Sequence, residues 1–222
     1  AKASNGGVSC ILESGDEIEA ELLLVSVGRR PNIDGIGLEE LGVKRGAGGI
    51  EVNEKMETNV KGVYAAGDVT GGLLLAHVAT REGIVAAGNA LGGSSLVDYH
   101  AIPSTIYTLP EVSRVGLTEE QAKERGIEIV TGQFPFAANG KAKGLGEEEG
   151  FVKWVASKEE GRLLGLHIIG PQATELLAAG ILAVERGMTA EEFSIAVFPH
   201  PTLSESLVEA AEAIHGKAIH LQ

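Results

Sequence analysis

A histidine fixed between two prolines lies near the end of the chain, and a glutamate follows it five positions later. The segment 198–205 reads FPHPTLSE. The flanking prolines leave His200 little backbone freedom. A carboxylate beside an imidazole orients the ring and favours its protonated form, which suits a general acid/base near neutral pH. If Glu205 lies one turn into a helix and faces back toward His200, the two residues form such a pair.

The same spacing also has a purely structural interpretation. Thr202 and Glu205 are separated as in a capping box, in which the Glu205 side chain bonds the backbone N–H of Thr202 at the start of a helix. On this interpretation the helix begins at Thr202 and Glu205 has no chemical task. The residues alone leave both interpretations open.

A second candidate site follows an apolar run in the first third of the chain. Val60–Ala66 predicts a buried strand that ends at Gly67 and Asp68, and ligands bind at the carboxyl ends of strands in open α/β sheets. Gly67 lets a ligand approach the backbone, and the Asp68 carboxylate can accept hydrogen bonds from sugar-like hydroxyls. Alternatively, Asp68 only caps its own backbone in a turn.

A predicted helix begins just after this segment. The residues Leu74, Leu75, Ala76 and His77 open it, and it runs to about Leu91. Its residues are small and apolar on most faces, so we expect it to be buried. Free N–H groups and the helix dipole at such an N-terminus favour negative charge on a ligand.

The remaining elements follow from local patterns. A hairpin of Val8–Leu12 and Ile18–Val27 ends at the turn-forming segment Gly28–Asn32, and Gly92–Ser95 is a candidate linker. Beyond the linker we predict extended segments at Ser104–Thr108 and Glu111–Val115, a capped helix at Thr118–Arg125, a strand at Ile127–Phe134, a hairpin of Phe151–Ser157 and Arg162–Ile169, and helices at Thr174–Arg186, Thr189–Ala196 and Thr202–Ile214. Gly144–Gly150 is glycine-rich, but it is acidic and precedes a strand, so it is not a phosphate loop.

Composition excludes several classes of function. The 222 residues carry a formal charge of −13, which opposes binding to nucleic acids and to anionic membranes. No stretch of 18 apolar residues predicts a membrane span. The single cysteine, Cys10, cannot form an internal disulfide, which favours a cytoplasmic location. No zinc spacing occurs among the histidines, so we expect no metal.

Four segments, in order along the chain, resemble motifs of the flavoprotein disulfide reductases, which bind FAD and NAD. They are 25–32 (VSVGRRPN), 58–77 (TNVKGVYAAGD and LLAH), 106–119 (IYTLPE and VGLTE) and 198–205 (FPHPTLSE). The last segment resembles the dihydrolipoamide dehydrogenase branch, because Leu203 fits that branch better than the glutathione reductases. The resemblance extends from about Ile18 to Ile214.

This resemblance implies a fold that is α/β plus α+β. Residues 1–30 would be the tail of an NAD-binding domain, and residues 31–97 the second segment of an FAD-binding domain. Residues 98–222 would form an α+β interface domain with an antiparallel sheet and helices. The implied site residues are Gly28 near NAD, Gly67, Asp68, Leu74, Leu75, Ala76 and His77 around FAD, and His200 with Glu205 as the acid/base pair. His77 would line the flavin rather than act as an acid or base.

The implied activity is the oxidation of dihydrolipoamide, carried on a lipoyl-bearing acyltransferase, with electrons passing through FAD to NAD. The implied assembly is a homodimer in which His200 and Glu205 serve the redox disulfide and flavin of the other subunit. The family's cysteine pair and its Gly-X-Gly-X-X-Gly loops do not occur in this sequence. We therefore expect the carboxyl-terminal part of a longer enzyme, inactive by itself. The alternatives are part of a glutathione reductase-like enzyme and a non-catalytic dimerisation module.

Overall fold

The computed structural model describes residues 1–4 and 6–221. The chain forms two compact units, residues 1–97 and residues 98–222. Within the described residues, no helix combines the length and the apolar character needed to span a membrane.

The first unit contains a small antiparallel sheet of three strands in the order β1-β2-β3. The strands are β1 (Lys2–Ser4), β2 (Gly7–Ile11) and β3 (Glu17–Ala20). The predicted hairpin is confirmed, with Cys10 opposite Ile18, but β3 ends well before Val27. Residues 21–27 pair with no described strand, so Leu22 and Val27 are 89% and 92% exposed.

The predicted strand at Val60–Ala66 is wrong. The backbone turns back on itself there, because Gly62 has a φ of 81° and the N–H of Val63 bonds the carbonyl oxygen of Val60 at 3.0 Å. A strand forms only against a neighbour, and the described part of this unit offers the segment a single isolated bridge, between Glu57 and Tyr64. Val60 and Val63 instead pack against a small core formed by Ile33, Leu38, Val43 and Ile50.

A short 3₁₀ turn (Gly67–Thr70) leads into helix α1 (Ala76–Ala90). The predicted helix is confirmed, but its expected burial on most faces is wrong. Only one stripe is buried, which consists of Val78, Glu82, Val85, Ala86 and Asn89. Ile84, on the opposite side, is exposed. The asparagine in the stripe fastens α1 to the neighbouring loop, since its amide group bonds the backbone of Lys55 and Ser95.

The second unit is built on an antiparallel sheet of five strands in the order β4-β5-β8-β7-β6. The strands are β4 (Ser104–Ile106), β5 (Glu111–Gly116), β6 (Ile129–Pro135), β7 (Phe151–Ser157) and β8 (Leu163–Gly170). The predicted strands are confirmed to within a few residues. Residues of β7 and β8 alternate between the faces of the sheet, and Val152, Trp154, Leu166 and Ile168 are fully buried in the core.

Five helices accompany this sheet in the described residues: α2 (Glu119–Glu124), α3 (Gly140–Leu145), α4 (Ala173–Glu185), α5 (Ala190–Ser194) and α6 (Glu205–Ala213). Helix α4 packs on β5 and β8, and α6 packs on β6 and β7. The cap predicted for the helix at Thr118 is formed as a capping box with Gln121, and Thr189 forms the same arrangement with Glu192 at the start of α5. Helix α3 was not predicted, and α6 begins at Glu205 rather than at Thr202.

Candidate functional site

The side chains of His200 and Glu205 meet at the start of α6. Nδ1 of His200 lies 2.7 Å from Oε1 of Glu205. The other carboxylate oxygen, Oε2, accepts the backbone N–H of Thr202 at 2.7 Å. The two interpretations of this spacing are therefore compatible, because one carboxylate does both. The imidazole is 79% exposed and the carboxylate 28% exposed.

The loop that carries His200 is closed by its own hydroxyl groups. Thr202 Oγ1 donates to the carbonyl oxygen of Pro199 at 2.7 Å and lies 2.8 Å from Ser204 Oγ. The threonine therefore does not cap α6 with its side chain, and only the carboxylate half of the predicted capping box exists. This explains why α6 begins at Glu205, after the loop has closed.

The buried side chain of Asn139 holds this loop in place through hydrogen bonds, and sequence reasoning missed it. Asn139 Nδ2 donates to the carbonyl oxygen of Thr202 and to Ser206 Oγ, both at 3.0 Å. Its Oδ1 accepts the N–H of Ala142, so the same side chain caps α3. The contacts with Thr202 and Ser206 span 63 and 67 residues of sequence, and no local pattern predicts them. They hold the loop and the first turn of α6 against the start of α3.

Helix α6 is anchored to the sheet along its buried face. Trp154 Nε1 donates to the carbonyl oxygen of Leu207 at 3.0 Å. Gly132 of β6 lets the helix approach closely, because a Cβ there would collide with the backbone of Ala210 and Ile214. The acid/base candidates thus lie at the end of a helix whose other face is held by buried contacts.

The surroundings of Glu205 favour its ionised form. Partial burial raises the pKa of this carboxyl group, but the hydrogen bonds from the Thr202 N–H and from His200 lower it, and the pKa lies below its ordinary value. The charge of His220 lowers it further. An ionised carboxylate only accepts hydrogen bonds, so Nδ1 of His200 carries the hydrogen. Nε2 is then the atom that can exchange a proton with a substrate.

His220, which follows α6, forms a similar pair with Glu209 of that helix. Nδ1 of His220 lies 2.7 Å from Oε1 of Glu209, whose Oε2 accepts the N–H groups of Ile219 and His220 at 2.9 and 3.1 Å. No local pattern in the sequence predicts this pair, because Glu209 lies eleven residues before His220.

In the first unit, Gly67 is held against α1. Its N–H donates to Oε2 of the buried Glu82 at 2.7 Å, and a Cβ at this glycine would lie 3.0 Å from that of Ala79. The φ of 79° at Gly67 also favours glycine. Glu82 is a positioning residue that the sequence analysis missed. Its place in the otherwise largely apolar stripe of α1 was the detectable signal.

Asp68 is exposed, and within the described part of the chain its carboxylate has no hydrogen-bond partner. The alternative that Asp68 caps its own backbone is therefore not seen. Nearby, α1 begins after Leu75 with no side-chain cap, which leaves the first N–H groups of the helix without an intrachain cap. Leu74, Ala76 and His77 are exposed around this end, and Leu75 is half-buried.

Gly28 lies in the exposed segment that follows β3. It has a φ of 112°, and no atom lies within 4 Å of the position that a Cβ would take. The described contacts therefore do not join Gly28 to Gly67 or Asp68.

Comparison with protein families gives two matches along the chain. Residues 1–83 match the pyridine nucleotide-disulphide oxidoreductase model, and residues 102–211 match the dimerisation domain of the same proteins. Dihydrolipoyl dehydrogenase of Thermus scotoductus is 49% identical over 221 residues, which are 99% of this chain and 46% of that protein. Dihydrolipoyl dehydrogenase of Geobacillus stearothermophilus is 45% identical and is matched over 48% of its length by 100% of this chain.

Solved structures show the same relationship. LpdA of Mycobacterium tuberculosis superposes with a TM-score of 0.88 at 33% identity, over 94% of this chain and 46% of that one. The flavoprotein disulfide reductase RclA of Escherichia coli gives a TM-score of 0.86 at 26% identity, over 94% and 48%. The chain spans about half the length of these relatives. It belongs to the pyridine nucleotide-disulphide oxidoreductase family and carries that family's dimerisation domain.

Proposed function

We propose that the chain is the carboxyl-terminal part of an FAD- and NAD-dependent dihydrolipoyl dehydrogenase, in which His200 and Glu205 are the acid/base pair. The observation that carries the proposal is the Glu205 carboxylate, which lies 2.7 Å from Nδ1 of His200 while it accepts the N–H of Thr202. Relatives with the name dihydrolipoyl dehydrogenase, at 43–49% identity, support the choice of substrate.

The pair handles protons for sulfur chemistry. Nε2 of His200 accepts the proton of a dihydrolipoamide thiol, because the thiolate is the species that attacks a disulfide. The lipoyl thiolate forms a mixed disulfide as one cysteine sulfur of the redox disulfide leaves as a thiolate, which takes the proton from His200. His200 then accepts the proton of the second lipoyl thiol, whose sulfur closes the lipoyl ring and displaces the other cysteine sulfur as a thiolate. Glu205 keeps the ring oriented and stabilises the imidazolium that forms. When bound, FAD supplies the electron acceptor and NAD the final oxidant.

The first unit would contribute part of the cofactor sites. The Asp68 carboxylate, which has no described partner, and the uncapped end of α1 fit the hydroxyl and phosphate groups of FAD. Leu74, Leu75, Ala76 and His77 would line the ring, and Gly28 would lie near NAD. In this proposal residues 1–30 belong to the NAD domain, 31–97 to the FAD domain and 98–222 to the interface domain.

The second unit would pair with another copy of itself. It exposes large apolar side chains that a folded surface normally covers: Ile106, Tyr107, Leu109, Leu182, Ile195 and Val197. We therefore propose a homodimer in which each subunit supplies His200 and Glu205 to the disulfide of the other. Its substrate would be carried by a lipoyl-bearing acyltransferase, and its location would be cytoplasmic.

Reconstitution tests the proposal. The chain is co-expressed with the portion of the Thermus scotoductus relative that it does not match, and NAD reduction by dihydrolipoamide is measured with added FAD. We expect activity from the assembled, flavin-loaded protein and none from the chain alone. Activity of the chain alone would contradict the need for the other part. A loaded assembly that reduces glutathione disulfide but does not oxidise dihydrolipoamide would support the glutathione reductase-like alternative, and a loaded assembly with neither activity would support the non-catalytic one.

A further inference from the structure

We infer that a cleft on the second unit, bordered by Arg125, Arg162 and Arg186, is a binding site for a small anion that carries several phosphate groups. This arginine cleft is separate from the His200 loop, and the inference does not depend on the proposed dehydrogenase activity. It rests on three exposed arginines that line one cavity, on the net charge of the lining and on the size of the cavity.

Three different elements bring the arginines together. Arg125 follows the last residue of α2, Arg162 lies in the turn between β7 and β8, and Arg186 follows the last residue of α4. The cavity between them has a volume of about 810 Å³, within the range of small-molecule sites. Its walls also contain apolar side chains and one tyrosine: Tyr99, Leu117, Ile127, Leu163, Leu164 and Val184.

The lining has the opposite sign of charge from the rest of the chain. The lining contains three arginines and one carboxylate, Glu185, so its net charge with His100 neutral is +2, or +1 when Glu160, the partner of Arg162, is counted. The whole chain has a formal charge of −13. A concave, partly apolar site focuses such a local field, so an anion is attracted here and repelled elsewhere.

Two of the three arginines, Arg125 and Arg186, form no salt bridge among the described residues. No described carboxylate lies within salt-bridge distance of either guanidinium group. Arg162 pairs with Glu160 outside the cleft, and its Nη1 is held so close to Gly187 that a Cβ there would lie 2.9 Å away. The guanidinium fork binds phosphate oxygens through two parallel hydrogen bonds, which suits a ligand with several phosphates.

Stabilisation of helix ends explains only part of this arrangement. Arginines at helix C-termini interact favourably with the helix dipole, which accounts for Arg125 and Arg186 separately. It does not account for their meeting Arg162 around one cavity. Each of the two helix C-termini carries about half a negative charge, which is too little to neutralise the three full positive charges of the arginines.

Calorimetric titration of the full chain at low salt tests the inference, with tripolyphosphate, ATP and citrate as probes. We expect saturable binding of tripolyphosphate that weakens about tenfold or more in the R125Q/R186Q variant. The K141Q/K143Q variant changes net charge equally on exposed residues of α3 and should bind like wild type. Tighter binding of ATP than of tripolyphosphate would identify a nucleotide that uses the apolar wall. Equal binding would identify the phosphate chain as the recognised group.

Three results would overturn the inference: no saturable binding of tripolyphosphate below about 5 mM, tighter binding of citrate than of either phosphate probe, or equal weakening in the R125Q/R186Q and K141Q/K143Q variants. The fluorescence of Trp154, which is fully buried in the second unit, reports whether each variant is folded. If R125Q/R186Q is unfolded, the single R162Q variant takes its place, and we expect it to weaken binding as well.

Discussion

Glu205 and Glu209 lie four residues apart on one face of α6, and the carboxylate of each is 2.7 Å from Nδ1 of a histidine. Each also accepts backbone N–H groups, Glu205 from the loop before the helix and Glu209 from the segment after it. The helix therefore fixes both neighbouring segments through carboxylates. The pair with His200 is the candidate for chemistry, and the pair with His220 fastens the end of the described chain.

Replacement of Glu205 by glutamine should make stability depend less on pH. Because the pKa of Glu205 is lowered in the folded state, its ionised form stabilises the fold above the ordinary pKa of 4.5, and this stabilisation is lost as the pH falls through the folded value. We expect Glu205→Gln to lower the free energy of unfolding by about 1–2 kcal/mol at pH 7 and by much less near pH 3. Urea unfolding followed by Trp154 fluorescence measures both.

The matched control for this experiment is Glu212→Gln. Glu212 lies on the same helix, and in the described structure its carboxylate has no hydrogen-bond partner. Its replacement should leave the pH dependence of stability unchanged. If both variants lose the same stability at pH 7, the bonds of Glu205 to Thr202 and His200 contribute nothing measurable.

Replacement of Glu209 by glutamine should release the segment after α6. Hydrogen exchange of the Ile219 and His220 amides should accelerate by about tenfold, because their shared acceptor loses its charge. His220→Gln removes only the imidazole contact, so the two amides should stay more protected than in Glu209→Gln. Unchanged exchange in both variants would show that the Glu209 contacts do not order this segment.

Asn139→Ala should destabilise the second unit by about 2–3 kcal/mol. The substitution removes the cap of α3 and leaves the part-buried carbonyl oxygen of Thr202 and the buried hydroxyl of Ser206 without their donor. Ser206→Ala loses only one of these bonds and should cost about half as much. Unfolding in urea would contradict the account if the two variants had equal stability.

The two units should differ in protection from hydrogen exchange. Residues 21–27 form no described strand pairing and expose apolar side chains, whereas β7 and β8 are paired on both sides. We expect their amides to exchange at least about a hundred times faster than those of β7 and β8, and residues 1–97 to be less protected than 98–222. Equal protection of the two ranges would contradict this expectation.

Most elements of the second unit could be predicted because their signals are local. The capping residues Thr118 and Thr189 mark the starts of α2 and α5, and the hairpin of β7 and β8 follows from two apolar runs around a short turn. In the first unit the same reasoning failed at Val60–Ala66. An apolar run specifies a strand only when a neighbour pairs with it, and the sequence does not say which neighbour is present.

In the candidate site, too, contacts that are local in sequence could be predicted and long-range contacts could not. The contact between His200 and Glu205 spans five residues, so spacing was enough to suggest it. Asn139 and Trp154 reach the same loop and helix from 53 or more residues away, and only the folded sheet brings them there. Glu82 stands out in the stripe of α1, but its partner Gly67 lies fifteen residues away, and only the packing of α1 on the 3₁₀ turn brings the two together.

If His200 moves protons for the reaction of the assembled enzyme, as we propose, its replacement should slow the oxidation of dihydrolipoamide. The most direct measurement is kcat/KM for dihydrolipoamide in the reconstituted, flavin-loaded protein, compared between wild type, His200→Gln and His215→Gln. His215 is an exposed histidine just after α6 and serves as the control. We expect a loss of about a hundredfold or more for His200→Gln and no loss for His215→Gln. Activity of His200→Gln within about threefold of wild type would contradict it.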